Sequence, residues 1–430
     1  MLEKEKNNNN FKDTILGIIK KLEKDDYSKY GGNELLYIAQ VLDWESYQDA
    51  EPFSVRLEKE FAKKFGVKYG IAHNSGTGTL QSCLAAAGVG AGDEVIIPAQ
   101  SVLMNAATTL HQNAVPVFAD IDPKTFNIDP SDIKNKITPR TKAIQVVHMH
   151  GLSADMDPIM KMARENNIIV IEDSAQCVLG VYKDKLAGTI GDMTSWSFET
   201  KKHLSTGEGG MITTDNPDFA TIVRKNGFNG YRAISPDAPL AKKLPEEFQD
   251  PNYRRHDTLG YNYRMNEITA AMGLAQLERI EELVRRRQKC AEYFIDAIND
   301  CYWIMPQYVP DGYINSYYTF SARYLGEEKF GSNWKKFWHN FKAEGGDGFY
   351  GAVAVSYQEP MIKDEVYFKT GYLPKNNKCT YSEQYKYYNG MCPIAEKVQS
   401  QLMSFKTNYR NLEEAKNQAL ILQKTIKKFN

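Results

Sequence analysis

From Phe53 onward the chain alternates two textures. Short apolar runs bounded by turn residues occur at Tyr69–Ala72, Glu94–Pro98, Val115–Asp120, Ala143–His148, Ile168–Asp173, Thr194–Phe198 and Met211–Thr214. Runs of this kind suit strands buried on both faces. Between several of them, apolar positions recur at helical spacing, as in Val55–Ala62, Thr79–Ala87, Pro158–Asn166 and Pro217–Asn226. Strands alternating with helices predict an α/β fold whose sheet is largely parallel and covered on both faces. A longer helical pattern runs from Asn266 through Leu277, Ile280 and Leu283 towards Arg287. Beyond it the texture turns aromatic (Tyr317-Tyr318-Thr319-Phe320, Phe337-Trp338), then rich in Lys and Tyr near 376–390.

The expected organisation is an N-terminal extension over 1–50, a large domain over 51–285 and a smaller α+β domain over 286–430. The extension is polar, with an amphipathic helical pattern at Phe11, Ile15, Ile18, Ile19 and Leu22, and is expected to pack on the surface or on a partner subunit. Residues 230–257, charged and containing proline, read as a loop insertion. No internal repeat is visible.

Composition narrows the classes. The 430 residues carry 53 basic and 54 acidic side chains, a formal net charge of -1, which points to neither nucleic acid nor an anionic membrane as partner. The six cysteines have no CxxC spacing, so a zinc ribbon is not expected, and reduced thiols in a cytoplasmic protein are the simplest reading. No apolar stretch is long enough to span a bilayer, and Met1 to Asn10 lacks the apolar centre of a signal peptide.

Four segments could carry chemistry. Asn74-Ser75-Gly76-Thr77-Gly78-Thr79 follows a strand and opens a helix, where small residues expose N–H groups to a phosphate; no lysine follows the glycines, so it is not a Walker motif. Glu172-Asp173-Ser174-Ala175-Gln176 ends an apolar strand, the place where open α/β sheets gather ligands; Asp173 could hold a heteroaromatic nitrogen protonated or cap the next helix. Ser197-Phe198-Glu199-Thr200-Lys201-Lys202-His203-Leu204 runs into the glycine-rich Gly207-Glu208-Gly209-Gly210. Ser197 could donate to a phosphate and Lys201 or Lys202 could form a Schiff base, the alternative being two solvated lysines on a loop. Gly260-Tyr261-Asn262-Tyr263-Arg264-Met265-Asn266-Glu267 precedes the long helix, which Asn266 could cap.

In this order, the segments resemble the DegT/StrS family of sugar aminotransferases, fold type I enzymes that use pyridoxal 5'-phosphate. The likeness runs from about Val55 to Arg287, with an echo at Cys392-Pro393-Ile394-Ala395-Glu396-Lys397, and also rests on Asp120-Ile121-Asp122, His148 to Gly151, Asp155-Met156 and Gly273-Leu274-Ala275-Gln276-Leu277. It implies a three-layer α/β/α large domain with a mainly parallel sheet, plus a small C-terminal α+β domain. It further implies Lys202 as the Schiff-base lysine, Asp173 on the pyridinium nitrogen and Gln176 near the ring. Ser75, Gly76, Thr77 and Ser197 would lie around the phosphate, with Asn262 reaching it from the other subunit of a homodimer. The family pattern puts the lysine five residues after the Ser of Ser-Phe and five before Gly-Glu-Gly-Gly, which selects Lys202 over Lys201.

The implied reaction moves an amino group from an amino acid, with glutamate the expected donor, to the keto group of a nucleotide-linked sugar. A keto-cyclitol such as scyllo-inosose is an alternative acceptor. A dehydratase branch of the family carries histidine in place of the lysine, and His203 stands one position beyond Lys202. A non-enzymatic regulator would need the cofactor residues to be lost, and sulfur transfer would need a mobile cysteine, whereas Cys177 reads as buried packing. Two departures from the family pattern stand out. The segment Pro98-Ala99-Gln100-Ser101-Val102-Leu103-Met104-Asn105 has no aromatic to stack on the ring, leaving Val102 or a neighbour in that place. His150 replaces the usual aromatic before Gly151, and reads as a surface histidine in preference to a substrate contact. Residues around Gly345–Pro360 depart from the shorter common C-terminal pattern and are expected to bear on acceptor choice.

Overall fold

The computed structural model describes residues 17, 29–43, 47, 50–236, 246–351, 353, 355–364 and 386–429. Five strands, β1 (Tyr69–His73), β2 (Glu94–Pro98), β3 (Val115–Ala119), β4 (Thr141–Val147) and β5 (Ile169–Asp173), are followed by the short β6 (Val181–Tyr182) and β7 (Lys185–Leu186), then β8 (Met193–Ser197) and β9 (Gly210–Thr214). The main sheet has the order β1-β9-β8-β5-β4-β2-β3. Pairing is parallel from β8 to β3, and only β9 runs against its two neighbours. The seven strands expected from the apolar runs are these seven, with ends moved by a residue or two.

Alternate residues of each strand point to opposite faces. Val95, Ile97, Ile171 and Ile212 meet Cys83, Leu84, Ala106 and Leu110 on one face. On the other face Ile96, Ile144, Val146 and Val170 pack on Ile159, Met160 and Ala163 of the helix Met156–Glu165. Further along it, Trp196 and Met211 pack on Leu57, Phe61 and Phe65 of the helix Phe53–Phe65. Burial of both faces explains why these strands lack a polar side in sequence.

The C-terminal region adds an antiparallel sheet of β10 (Ile304–Pro306), β12 (Thr319–Tyr324) and β13 (Leu402–Lys406). β11 (Tyr313–Ile314) instead pairs with β6. Phe294, Trp303, Phe320, Phe337, Phe405 and Leu422 form this region's own core.

Three expectations change. The long helix is two, Glu267–Glu278 and Ile280–Ile298, separated at Arg279, which has φ -111° and ψ 11°. The expected boundary at 285/286 therefore lies inside a continuous helix. Residues expected in the small domain also return to the large one: Val355, Tyr357, Ile362, Cys392, Ala395 and Val398 share a core with Val95 and Ile97.

The helical pattern expected at Phe11–Leu22 and most of the Lys- and Tyr-rich stretch lie outside the described residues. The described part of the extension packs on the chain itself. Its helix Glu34–Leu42 is held to the helix Glu267–Glu278, with Glu34 Oε1 accepting from Gln276 (2.6 Å) and Glu278 accepting from Tyr37 and Asn33 (2.6 and 2.7 Å).

Candidate active site

The site is built where three strand ends meet. Ser197 at the end of β8 and His73 at the end of β1 both pair with Gly210. After His73 the chain turns into the helix Gly76–Ala86, capped by Ser75, whose Oγ accepts from Gly78 N at 3.1 Å. A side chain at position 76 would put its Cβ 2.8 Å from Ser197 Cβ, so only glycine lets the helix start come this close to Ser197. Gly76, Thr77 and Ser197 thus lie around one helix N-terminus, which supplies free N–H groups and partial positive charge.

Asp173 ends β5 and is 1% exposed. Its Oδ1 accepts from Ala175 N (3.1 Å) and its Oδ2 from Asn105 Nδ2 (3.0 Å), and it makes no ion pair among the described residues. Lys202 is also buried, at 9% exposure, whereas Lys201 is exposed. The Lys202 ammonium lies 4.6 Å from the centre of the Tyr318 ring. Burial pulls its pKa below the ordinary 10.5 against the opposing pull of Asp173. Its Nζ has no hydrogen-bond acceptor among the described residues.

A buried carboxylate and a buried amine without ionic partners are each costly. A flat, charged heteroaromatic group carrying an aldehyde and a phosphate would answer both and would use the helix N-terminus as well. The residues present therefore fit pyridoxal phosphate.

Gln176 is buried, and its Oε1 accepts from His150 N at 2.9 Å. That leaves the amide NH2 of Gln176 as the end available to a ligand oxygen. His150 is not on the surface as expected. It is 2% exposed, sits at φ 61°, and bonds Thr319 Oγ1 at 3.0 Å, while burial pushes its pKa down to about 4. The small domain's β12 covers it, which no local pattern signals.

His203 turns away from the site, with Nε2 2.9 Å from Ser316 O, and burial holds it neutral. Asn262 is exposed, its Oδ1 accepting from Arg264 Nε (3.0 Å), and its carbonyl lies 3.3 Å from Asn74 Nδ2. Val102 is 41% exposed. Cys177 is buried, its thiol bonded to Gly151 O (3.1 Å) and its pKa pushed up to about 12 by burial, the state of an inert packing thiol.

Three residues given no role in the sequence reading belong to the site's frame. Tyr318 lies against Lys202. Asn105 holds Asp173. Arg287, buried, donates to the carbonyls of Lys201 (2.6 Å), Lys202 (3.0 Å) and Tyr318 (2.9 Å), clamping the lysine loop to β12. Lys29, from the N-terminal extension, bonds Thr200 O. Burial, with Arg287 nearby, lowers its pKa to about 8. A cavity of about 250 Å³ adjoins these groups, with Tyr30, Lys202, Tyr409 and Arg410 in its wall.

The fold, with these strand ends, is that of a fold type I pyridoxal-phosphate-dependent aminotransferase. The chain belongs to the DegT/DnrJ/EryC1/StrS aminotransferase family, which it matches over residues 29–421. It is 41% identical over 264 residues to the GDP-perosamine synthase of Caulobacter vibrioides, a match covering 61% of this chain and 66% of that protein, just under two thirds. The solved aminotransferase from Psychrobacter cryohalolentis superposes with a TM-score of 0.76 at 26% identity, covering 92% of this chain and 97% of that one. The GDP-4-keto-6-deoxy-D-mannose-3-dehydratase of E. coli, solved with bound hydrated pyridoxal phosphate, gives a TM-score of 0.75 at 26% identity, covering 90% and 96%. Among the described residues no helix is long and apolar enough to cross a membrane.

Proposed function

We propose that this chain transfers an amino group from an amino acid, glutamate the expected donor, to the keto group of a nucleotide-linked sugar. The observation that carries the reading is a buried, desolvated Lys202 in the loop after β8, within the electrostatic reach of a buried Asp173 at the C-terminal end of β5. When bound, pyridoxal phosphate supplies an electron sink for the carbon that loses or gains a proton.

The chain's own residues do the rest. Gly76 and Thr77 N–H groups and Ser197 Oγ would hold the phosphate. The Asp173 carboxylate would keep a proton on the ring nitrogen, because an adjacent negative charge favours the protonated form. Gln176, its Oε1 held by His150 N, would offer its amide NH2 to an oxygen of the ring. Lys202 Nζ is the amine that would hold the cofactor's aldehyde carbon, and as a free amine it would be the base that moves the proton. Its lowered pKa leaves more of the amine neutral and able to accept that proton. Tyr318 and the Arg287 clamp restrict where Nζ can go. Asn262, exposed on its own subunit, is assigned to the phosphate of a partner subunit in a homodimer.

The two half-reactions share one site, so initial rates with glutamate and a keto-sugar should give parallel reciprocal plots. Intersecting plots would overturn the scheme. Dehydration is the second outcome of the same assay. The fate of His203, turned onto Ser316 O, favours amino transfer, since the proton-carrying position is left to a lysine. Release of a deoxy-sugar without net amine incorporation would reverse that choice. Residues around Gly345–Pro360 are assigned to acceptor selection: Ser356 N donates to Ala99 O (2.8 Å) and Val355 bridges to Gln100, just after β2 and just before Val102.

A further inference from the structure

We propose that Asn105 is a positioning residue that fixes the Asp173 carboxylate for the cofactor's ring nitrogen; this rests on the cofactor reading above. Asn105 stands in the first turn of the helix Met104–His111 and is 1% exposed. Its amide is fully committed. One Nδ2 hydrogen goes to Asp173 Oδ2 (3.0 Å) and the other to Gln145 Oε1 (3.1 Å), while Oδ1 accepts from Ser101 Oγ (2.7 Å). Gln145 is committed in turn, its Nε2 donating to Asn105 O (3.2 Å) and Thr109 Oγ1 (3.1 Å).

Turning the Asn105 amide over would set its oxygen against two acceptors, Asp173 and Gln145. The network is thus satisfied in one orientation, the one that offers a donor to an ionised carboxylate. Ser101, Gln145 and Thr109 are all buried, so no water can stand in for a lost partner without a cavity to hold it.

Each Asp173 oxygen therefore has one fixed donor, Ala175 N on Oδ1 and Asn105 Nδ2 on Oδ2. An ionised carboxylate has about four acceptor directions. The plane is set by the two protein donors, and the remaining directions are left for an N–H of the ligand. Donors to the charged form also favour ionisation, which the ring nitrogen needs. The arrangement places this support in the segment that lacks a stacking aromatic, so the ring is located through its nitrogen edge.

The test uses the full-length chain and its Asn105→Ser and Asn105→Leu variants. Dissociation constants are measured by absorption titration for pyridoxal phosphate and for its 1-deaza analogue, in which a C–H replaces the ring nitrogen. Losing a hydrogen bond to a charged group predicts about tenfold weaker binding of pyridoxal phosphate. For the deaza analogue the change should stay under about twofold, because the group that Asp173 addresses is gone. Asp173→Asn should show the same selectivity.

Equal weakening for both cofactors would mean that Asn105 only packs, and no weakening for either would mean that the amide is dispensable; both overturn the proposal. Asn105→Ser serves if the leucine variant fails to fold. The broader reading fails separately: it is lost if wild-type protein with pyridoxal phosphate shows no visible band that Lys202→Ala removes, whatever Asn105 does.

Discussion

Glu172 and Asp173 are neighbours on one strand, both buried, and they point to opposite sides of the sheet. On the Glu172 side everything is closed. Oε1 accepts from Ile190 N (2.7 Å) and Gly191 N (2.5 Å), and Oε2 from Gly188 N (2.8 Å) and His148 Nε2 (2.8 Å). His148 Nδ1 accepts from Ala154 N, which leaves Nε2 as the ring atom that donates to Glu172. On the Asp173 side two donors are present among the described residues, and the nearby Lys202 amine has no hydrogen-bond acceptor among them. The difference separates a carboxylate that staples the β7–β8 loop to the sheet from one kept incomplete for a ligand. Burial alone does not distinguish the two. Unfilled hydrogen-bonding capacity does.

The sharpest way to break this contrast is at the amine. Lys202→Ala should abolish the visible absorption of bound pyridoxal phosphate and all amino transfer, and Lys201→Ala should leave both intact. The reverse result would remove the open side of the comparison altogether.

Next come the carboxylates themselves. Glu172→Gln puts an NH2 against backbone donors and should cost about 3 kcal/mol in urea unfolding, the scale of breaking a buried charged contact. Asp173→Asn sets an NH2 against only one of two donors, Ala175 N or Asn105 Nδ2, and should cost the cofactor-free protein about 1 kcal/mol, clearly less than Glu172→Gln. It should nevertheless lower turnover by at least about 100-fold, as expected for loss of a preorganised charge at the reacting group. Similar stability losses for both would erase the distinction.

A smaller effect is expected from the lysine. Its pKa is lower folded than the unfolded 10.5, so the folded state binds fewer protons between those values. Lys202→Met should stabilise the cofactor-free protein by about 1 kcal/mol at neutral pH. The advantage should shrink as the pH rises towards 10.5 and the unfolded chain also loses its proton.

The smallest signal is acid sensitivity. Burial opposes ionisation of Glu172, but the His148 bond and the Gly191 and Gly188 N–H groups bring its pKa below the ordinary 4.5. Its stabilising contribution is complete above 4.5 and is lost as the pH falls through the folded value. Wild-type unfolding curves should therefore show a steeper acid limb than those of Glu172→Gln.

Much of this was legible in residues close together in sequence. Apolar runs reveal strands buried on two faces because nothing polar can interrupt them, and β1 to β5, β8 and β9 fall where the runs stand. Ser75-Gly76-Thr77, Asp173, Gln176, Ser197 and Lys202 were nameable because each is tied to a strand end or a turn. The choice of Lys202 over Lys201 came from the family's spacing along one loop; in the structure Lys202 is buried and Lys201 exposed, while His203, buried as well, is set apart by its bond to Ser316 O. The break at Arg279 was not legible, since the apolar period continues through it. The small domain's edges were not either, because Val355 and Cys392 join the core beneath Val95 through contacts hundreds of residues apart in sequence.

The alternation of strands and helices, the family, and the side chains that stand at the strand ends can all be read from the order of residues along the chain. Local chemistry allows this, because a buried strand must be apolar and a helix start must expose N–H groups. How those side chains are completed depends on the folded packing. His150 became a buried residue when β12 closed over it. Tyr318 and Arg287 came to hold the lysine loop, and Asn105 came to support Asp173 across the sheet. Each of these depends on which distant segment fills the remaining hydrogen-bonding directions, and that is settled by packing, which carries no period along the chain.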